Sequence, residues 1–542
     1  MSKIQVMSMD LSNKIAAGEV IEKTMNVVKE LVENSIDAGA TTIKIDLLDS
    51  GVGEIIVTDD GVGMDREDAT LAFSRHATSK LKSLNDLFNI ESLGFRGEAL
   101  PSIAAVSNVT LKTSNGEVGT EVNIVGGKIN YVKSADLAKG TKFIVRDLFY
   151  NTPVRLKYLK NLYVELANIT EYVNKMALSY PNIKFVLTNN NKQLLNTEGH
   201  GNLLKVINNI YGVEVAKKMV KIDASNDDYV IKGYICYPEI SKPNRSSIIT
   251  FVNGRYIRNN ELNRTITEAY HTYLMIDKFP IVVINIEVDP ILVDINIHPT
   301  KMDIKFSKMD TLKSLITDVI SKTLRGLTLI PKAKHEEIKP SPITGYSVSE
   351  EPSVYNDNYR DYDKVEEVRL DFDSTLNNNE ETFEEIEEPN KPAERLKKMY
   401  PVGLVHGTYI ICENEDGMYI IDQHAAAERI NYEKYFTEMK KVKHDTTALL
   451  VPIKIELPTD EAIRLKHNMS VLLDMGFEIE EFGINTFIVR VHPTWLPTYM
   501  AEDAIRKIIN IVIEKGELDY GKFIENVAIT LACKMSIKAN DF

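Results

Sequence analysis

The stretch VVKELVENSIDAGATTIKIDLLDSGVGEIIVTDDGVGM, residues 27–64, runs through two hydrophobic periods in succession, and the switch between them sets the fold class. Val27, Val28, Leu31, Val32 and Ile36 recur on one helical face, with Thr24 expected as the N-cap. Asp37-Ala-Gly39 ends that helix, after which Ile43, Ile45 and Leu47 alternate with polar neighbours as a half-buried strand does. A second strand, Glu54 to Thr58, runs into Asp59-Asp-Gly-Val-Gly63. Outward from there, strands are expected at 119–125, 141–147, 248–252 and 281–288, and helices near 160–177, 260–274 and 309–325. The pattern is α+β, in two packed domains. No repeat at solenoid periods is present.

The 542 residues fit about three or four domains at roughly 150 residues each. A hydrophobic share of 44% with 26% charged residues provides enough apolar surface for several cores and excludes wholesale disorder. The longest apolar stretch, Phe279 to Val288, is broken by Asn285 and Glu287 and falls short of the ~20 residues a bilayer span needs. No secretory signal opens the chain, and Cys236, Cys412 and Cys533 are too widely spaced to form a disulfide framework, which points to a reducing cytoplasm. The net charge of −14 is unevenly spread. Residues 340–389 alone carry −12, residues 1–100 carry −7, and residues 101–339 carry +9, so the total does not argue against nucleic acid. The Pro331–Pro389 stretch, rich in Glu, Asp, Asn, Ser and Pro and without apolar period, reads as a disordered acidic tether.

Glu30 and Asn34 lie one turn apart on the face opposite the valines. A carboxylate beside an amide suits water activation and magnesium binding, although this pair alone reads better as a solvated helix face. Asp59, with Gly61 and Gly63, follows a strand, where a carboxylate can accept an adenine amino proton and glycines admit a close ligand. By itself the segment is also a plausible turn. Thr78-Ser79-Lys80 comes next, then Gly94-Phe-Arg96-Gly97-Glu98-Ala99-Leu100, a glycine-bracketed loop leading to a helix whose amides can cradle phosphates. Gly140-Thr141 opens a further strand, and Lys301 after VDINIHPT offers a point charge from a separate domain.

Eight segments in this order resemble the MutL mismatch-repair proteins, within the ATPase superfamily of gyrase, Hsp90 and histidine kinases. They are IAAGEV (15–20), VVKELVENSIDAGAT (27–41), DDGVGM (59–64), RHATSK (75–80), GFRGEAL (94–100), DLFYNTPVR (147–155), FVNGR (251–255) and VDINIHPTK (293–301). The resemblance covers residues 1 to about 330. It implies a Bergerat-type ATPase sandwich over 1–205 and a ribosomal-protein-S5-like second domain over 206–330. A linker over 331–394 and an α+β C-terminal dimerisation domain over 395–542 complete the expected organisation. It also implies ATP with Mg2+. Glu30 resembles the general base, Asn34 the magnesium ligand, Asp59 the adenine reader, and Gly61, Gly63 and Thr141 nucleotide contacts. Thr78, Ser79, Lys80, Gly94 and Arg96 to Leu100 resemble the nucleotide lid, and Lys301 the lysine on the γ-phosphate. Asp60 stands where Asn is usual, which would alter adenine-site electrostatics, and Lys23-Thr24 stand where Arg-Pro is usual.

Arg155 and Lys157 cluster after Pro153, and Arg245, Arg255 and Arg258 lie in a basic run with Lys242. Such cations can follow a DNA backbone without reading sequence, the alternative being ordinary surface charge. After the tether, Asp422, His424 and Glu428 lie where a strand meets a helix, a spacing that suits Mn2+ or Zn2+ as well as it suits a helix cap. This segment resembles the DQHA-x-x-E-x-x-x-x-E signature of MutL proteins that nick DNA, and 532–540 resembles their next motif, implying Cys533 near the metals. The family's further Cys-Pro-His-Gly-Arg-Pro element is missing, so the chain is expected to be a fragment. The resemblance further implies a homodimer joined through the C-terminal domain and, with ATP, through the N-terminal domains. Implied partners are DNA, the mismatch-sensor protein MutS and the replication sliding clamp, the last at Thr447 to Pro452, which lacks the usual Gln. The implied setting is a bacterial cytoplasm, with association with the nucleoid and no membrane. The alternative function is a matchmaker that recruits partners without nicking.

Overall fold

The computed structural model describes residues 20–80, 92–94, 97–159, 161–275, 278–294, 304–326, 397–441, 444–515 and 520–536. Arg96, Lys301, the whole 331–394 segment and the end of the 532–540 motif lie outside them. The chain divides into two compact units, 1–327 with 422–542, and 328–421.

The opening stretch forms helix Thr24–Asp37, strand β1 (Thr42–Leu48) and strand β2 (Glu54–Asp59). These join β3 (Asn108–Ser114), β4 (Gly119–Val125), β5 (Lys128–Ala135), β6 (Gly140–Arg146), β7 (Lys184–Asn189) and β8 (Lys192–Asn196). The eight strands order as β5-β4-β3-β6-β2-β1-β7-β8. β1 runs antiparallel to β2 and parallel to β7. Helix Thr24–Asp37 and helix Leu162–Ser179 share one core with the sheet, in which Val27, Val28, Ile43, Ile45, Ile55 and Phe185 are fully buried. The apolar stripe thus seats the nucleotide-side helix as its spacing predicts. β3, absent from the strands read in the sequence, pairs with both β4 and β6 and so lies inside the sheet.

Thr24 is not the cap. Lys23 occupies that position without a side-chain cap, while Thr24, fully buried, donates to Glu165 Oε2 at 2.6 Å. A buried carboxylate needs a donor, and the long helix supplies the carboxylate that claims this hydroxyl.

The second sheet orders as Arg255–Ile257, Ile248–Val252, Val282–Val288, Tyr229–Cys236 and Met219–Ser225. Helices Asn260–Ala269 and Met309–Arg325 close its core around Tyr229, Ile231, Leu262, Ile284, Leu312 and Ile316. The expected 260–274 helix stops at Ala269, where Tyr270 turns inward to donate its hydroxyl to the Cys236 carbonyl at 2.8 Å.

Residues 422–542 contribute helix Gln423–Met439, a sheet of Thr446–Glu456, Thr486–Pro493 and Glu478–Gly483, and helices Ala501–Lys515 and Tyr520–Met535. Trp495, Phe477 and Phe523 anchor their core. Helices Thr459–His467 and Met469–Asp474 are separated at Asn468, whose side-chain amide donates to the Arg464 carbonyl at 3.0 Å. Such a local bond competes with the helical ladder. The 328–421 unit holds strands Tyr400–Val405, Tyr409–Asn414 and Gly417–Asp422 in one sheet, the last reaching the unit boundary. Among the described residues, no helix is long and apolar enough to cross a membrane.

Candidate nucleotide-binding site

Asp59 ends β2, level with Ile43 of β1 and Thr141 of β6. Its Oδ2 accepts from Ser35 Oγ at 2.7 Å and its Oδ1 from the Gly61 amide at 3.0 Å. The side chain is thereby fixed while only 8% exposed. Burial raises its pKa, and the Ser35 and Gly61 bonds oppose that rise. Ser35 was not among the residues singled out from the sequence. Its only local signal is its place next to Asn34 on the same helix.

The turn after Asp59 depends on glycine. Gly63 has φ +69° and a Cβ there would lie 2.0 Å from the Ser114 carbonyl oxygen. Met64, the next residue, donates its amide to Thr113 Oγ1 at 2.9 Å, and Thr113 meets Thr141 Oγ1 at 3.2 Å. Asp60 does not enter the Asp59 pocket. Its carboxylate turns to the start of β1, accepting from the amides of Thr41 and Thr42 at 2.7 and 2.8 Å and from Thr41 Oγ1 at 2.6 Å. Partial burial raises its pKa, but these bonds dominate and hold it below the ordinary carboxylate value. Asp60 nonetheless adds a small upward push to Asp59 through like charge.

The far end of the helix forms a second cluster. Lys80 Nζ donates to Asn34 Oδ1 at 2.9 Å and to Asp37 Oδ2 at 2.6 Å. Asp37 also accepts from the amides of Leu93 and Gly94 at 2.9 and 3.0 Å. Thr78 supports the approach, its hydroxyl accepting from the Lys80 amide at 3.1 Å. Asn34 and Asp37 offer the hard oxygens that magnesium takes, and a cation already rests on both. The donor set therefore fits the ion. Asp37 is a member that sequence reading treated only as a helix terminator.

Gly97 has φ +60°, and its carbonyl accepts from the His76 amide at 3.1 Å, tying the segments around residues 76 and 97 together. Helix Ala99–Ala105 begins just beyond, after Glu98. Arg255 sits among these residues. Grouped from sequence with the DNA-facing cations, it is 7% exposed and donates to the backbone carbonyls of Ser92 and Leu93. Burial lowers its pKa, and the carboxylates of Glu33 and Asp37 oppose the shift. Arg255 is thus a buried link from the second domain to the 92–94 segment and not a surface cation, because its guanidinium is held by the carbonyls of that segment.

Family models match three segments. A histidine kinase-, DNA gyrase B- and HSP90-like ATPase model covers residues 22–142, a DNA mismatch repair protein C-terminal domain covers 207–325, and a MutL C-terminal dimerisation domain covers 402–542. The DNA mismatch repair protein MutL of Listeria welshimeri is 45% identical, spanning 98% of this chain and 91% of that protein. The chain belongs to the MutL family. The MutL of Geobacillus sp. is 43% identical over all of this chain and 93% of its own length. A crystal structure of the N-terminal domain of a DNA repair protein matches with a TM-score of 0.50 at 25% identity, over 58% of this chain and 97% of that one. In this MutL chain the first module is a nucleotide-binding ATPase domain of the histidine kinase, gyrase and Hsp90 type, and the last is a dimerisation domain.

The C-terminal candidates are arranged differently from the ATPase set. Asp422 Oδ1 accepts from the amides of His424 and Ala425 at 2.9 and 3.1 Å, so Asp422 caps helix Gln423–Met439. Among the described residues, no three His, Cys, Asp or Glu side chains are grouped to hold a metal ion. Glu428 lies one turn further along, and exposed Cys533 sits on helix Tyr520–Met535. Of the two readings open in the sequence, the structure displays the cap. Among the basic candidates Lys157, Arg245 and Arg258 are exposed, Arg155 is half-buried, and Arg245 lies over the Phe279 ring at 5.1 Å. Leu450 is fully exposed, at a bulge in strand Thr446–Glu456.

Proposed function

We propose that this MutL chain binds and hydrolyses ATP with Mg2+ as a dimeric clamp that couples mismatch recognition to strand removal. The observation that carries this reading is the pairing on one helix of the fixed Asp59 carboxylate, held by Ser35, with the Asn34–Asp37 oxygens that already hold a cation. Asp59 accepts the adenine amino proton. Asn34 and Asp37 would hold the magnesium, which when bound would supply neutralising charge to the phosphates, and Lys80, now on both oxygens, would serve as a phosphate-facing lid cation. Thr78, Ser79, Gly94, Gly97, Glu98, Ala99, Leu100 and Thr141 line the nucleotide, and Arg96 and Lys301 complete the set from outside the described residues. Glu30, one turn before Asn34, takes the proton from the attacking water as general base. Glu30→Ala tests this assignment: ATP hydrolysis falls by at least a hundredfold while ATP still binds. Hydrolysis at the original rate with ATP bound would remove Glu30 from that role.

DNA meets exposed Lys157, Arg245 and Arg258, with Arg155 beside them, in weak salt-sensitive contacts. MutS and the sliding clamp are the protein partners of this reading, the clamp at Leu450. On sequence resemblance, Asp422, His424, Glu428 and Cys533 support manganese- or zinc-dependent nicking. The capping role of Asp422 favours the second reading, a matchmaker that recruits partners without cutting. Manganese-dependent nicking of supercoiled plasmid, lost in a folded Asp422→Asn variant, would decide for nicking. Equal plasmid profiles with ATP hydrolysis intact would decide for the matchmaker.

A further inference from the structure

Helix Thr459–His467 of the C-terminal domain lies along helix Leu162–Ser179 of the ATPase domain, and their contact is built from specific pairs. Arg464 Nη2 donates to Glu171 Oε2 at 2.8 Å and to Asn168 Oδ1 at 3.2 Å. Asn174 donates to Asp460 Oδ1 at 3.1 Å. The Asn161 amide meets His467 Nε2 at 2.9 Å, and the His467 ring stacks on Tyr163 with centroids 4.8 Å apart. Ile463, only 8% exposed, joins the apolar core of the ATPase domain. The same helix reaches the second domain, where Lys242 Nζ donates to Glu461 Oε2 at 3.0 Å, with side chains 17% and 12% exposed.

Three properties distinguish this contact from loose surface apposition. Charges of opposite sign face each other at two separated points, Glu171 with Arg464 and Lys242 with Glu461. Exposed single pairs contribute little, but partly desolvated pairs fixed by further hydrogen bonds also specify register. An apolar residue fills the centre. Finally, one short helix touches both N-terminal modules, so it spans their seam.

We infer that the C-terminal domain docks on the ATPase domain of its own chain through helix Thr459–His467, which straps the ATPase domain to the second domain. The strap is one helix away from the nucleotide. Helix Leu162–Ser179, which receives it, also holds the nucleotide-side helix through Glu165 on Thr24 and through the Tyr172 hydroxyl on the Lys29 carbonyl, at 2.6 and 3.4 Å. The partner this surface fits is therefore a second domain of the same polypeptide, recognised by the ion pairs of Glu461 and Arg464 and the hydrogen bonds of Asp460 and His467.

Carbodiimide coupling of the full-length chain tests this directly, since it joins only carboxylates and amines already in contact. Equal amounts of light and heavy-isotope chain are mixed, coupled and digested. The expected product is an amide between Lys242 and Glu461 within chains of one isotope. It should fall at least fivefold in Arg464→Glu and recover in Arg464→Glu/Glu171→Arg. The Lys466–Glu481 pair inside the C-terminal domain, 2.5 Å apart, serves as the coupling control and reports that each variant is folded. The inference is overturned if the control forms without the Lys242–Glu461 amide, or if that amide joins light to heavy chains. A linkage indifferent to Arg464→Glu would equally overturn it.

Discussion

Replacing Ser35 with alanine removes one of the bonds that fix Asp59 and leaves the fold around it in place. The lost contact is a hydroxyl to a carboxylate at 2.7 Å inside a site where Asp59 is 8% exposed. Hydrogen bonds to charged groups contribute roughly 1.5–3 kcal/mol. With the Gly61 amide still holding Oδ1, about half of that should appear in nucleotide affinity, roughly 1.4 kcal/mol or tenfold in Kd. The loss should be specific to adenine, because a guanine presents an oxygen where adenine presents the amino group. A pH signature accompanies it. Burial raises the Asp59 pKa and the Ser35 bond opposes that rise, so Ser35→Ala moves the pKa further up. The ionised carboxylate is the form that reads adenine, so binding is present above the pKa and is lost as pH falls through it. In Ser35→Ala this loss sets in at a higher pH than in the parent. Titration calorimetry with a non-hydrolysable ATP analogue, from neutral to mildly acid pH, gives both quantities. An unchanged Kd in a variant that melts like the parent would refute the argument that Ser35 positions the adenine-reading carboxylate.

Gly63→Ala places a methyl 2.0 Å from the Ser114 oxygen at φ +69°, and should abolish nucleotide binding with a loss of roughly 2–4 kcal/mol in urea unfolding. Thr24→Val keeps the shape but leaves Glu165 without its donor, so chemical denaturation should show about 2 kcal/mol lost, while Thr24→Ser should retain most of the stability. Asp460 has its pKa pushed up to about 7 by burial, and then by like charge from Glu461 and Glu171, with Arg464 opposing. Lys175 of the long helix, His467 of its own helix, Lys242 of the second domain and Tyr211 of helix Leu203–Tyr211 also lie in this charge environment. A raised carboxyl pKa means docking takes up a proton, so docking is strongest below the ordinary carboxylate range and weakens as pH rises towards 7. Between pH 5.5 and 7.5 the docking constant should fall by about 25-fold, and Asp460→Asn should remove most of that dependence. Small-angle scattering at the two pH values reads the change, and identical pH dependence in both proteins would show that Asp460 is not its source.

The sequence by itself determined the order of the chemistry. The faces and turns on which Glu30, Asn34, Asp59 and the glycines after it stand are legible because helical and strand periods are local, while their roles are what the family resemblance implies. The same locality placed helix Met309–Arg325 and strands Thr42–Leu48 and Ile248–Val252 where the structure has them. Only the tertiary structure decided which partners those side chains meet. Thr24 reads as a cap until Glu165, far along the chain, claims its hydroxyl. Arg255 reads as a surface cation until its guanidinium meets the carbonyls of Ser92 and Leu93. Asp422 serves either a helix or a metal by its spacing, and the folded chain uses it on the helix. Ser35 and Asp37 gain their roles from β2 and from Lys80, and helix Thr459–His467 from a helix on another domain. A local period fixes the face on which a residue stands. The hydrogen-bonding and charge demands of a buried group are met by whatever the fold brings near, and that proximity is set by long-range packing that no local pattern encodes.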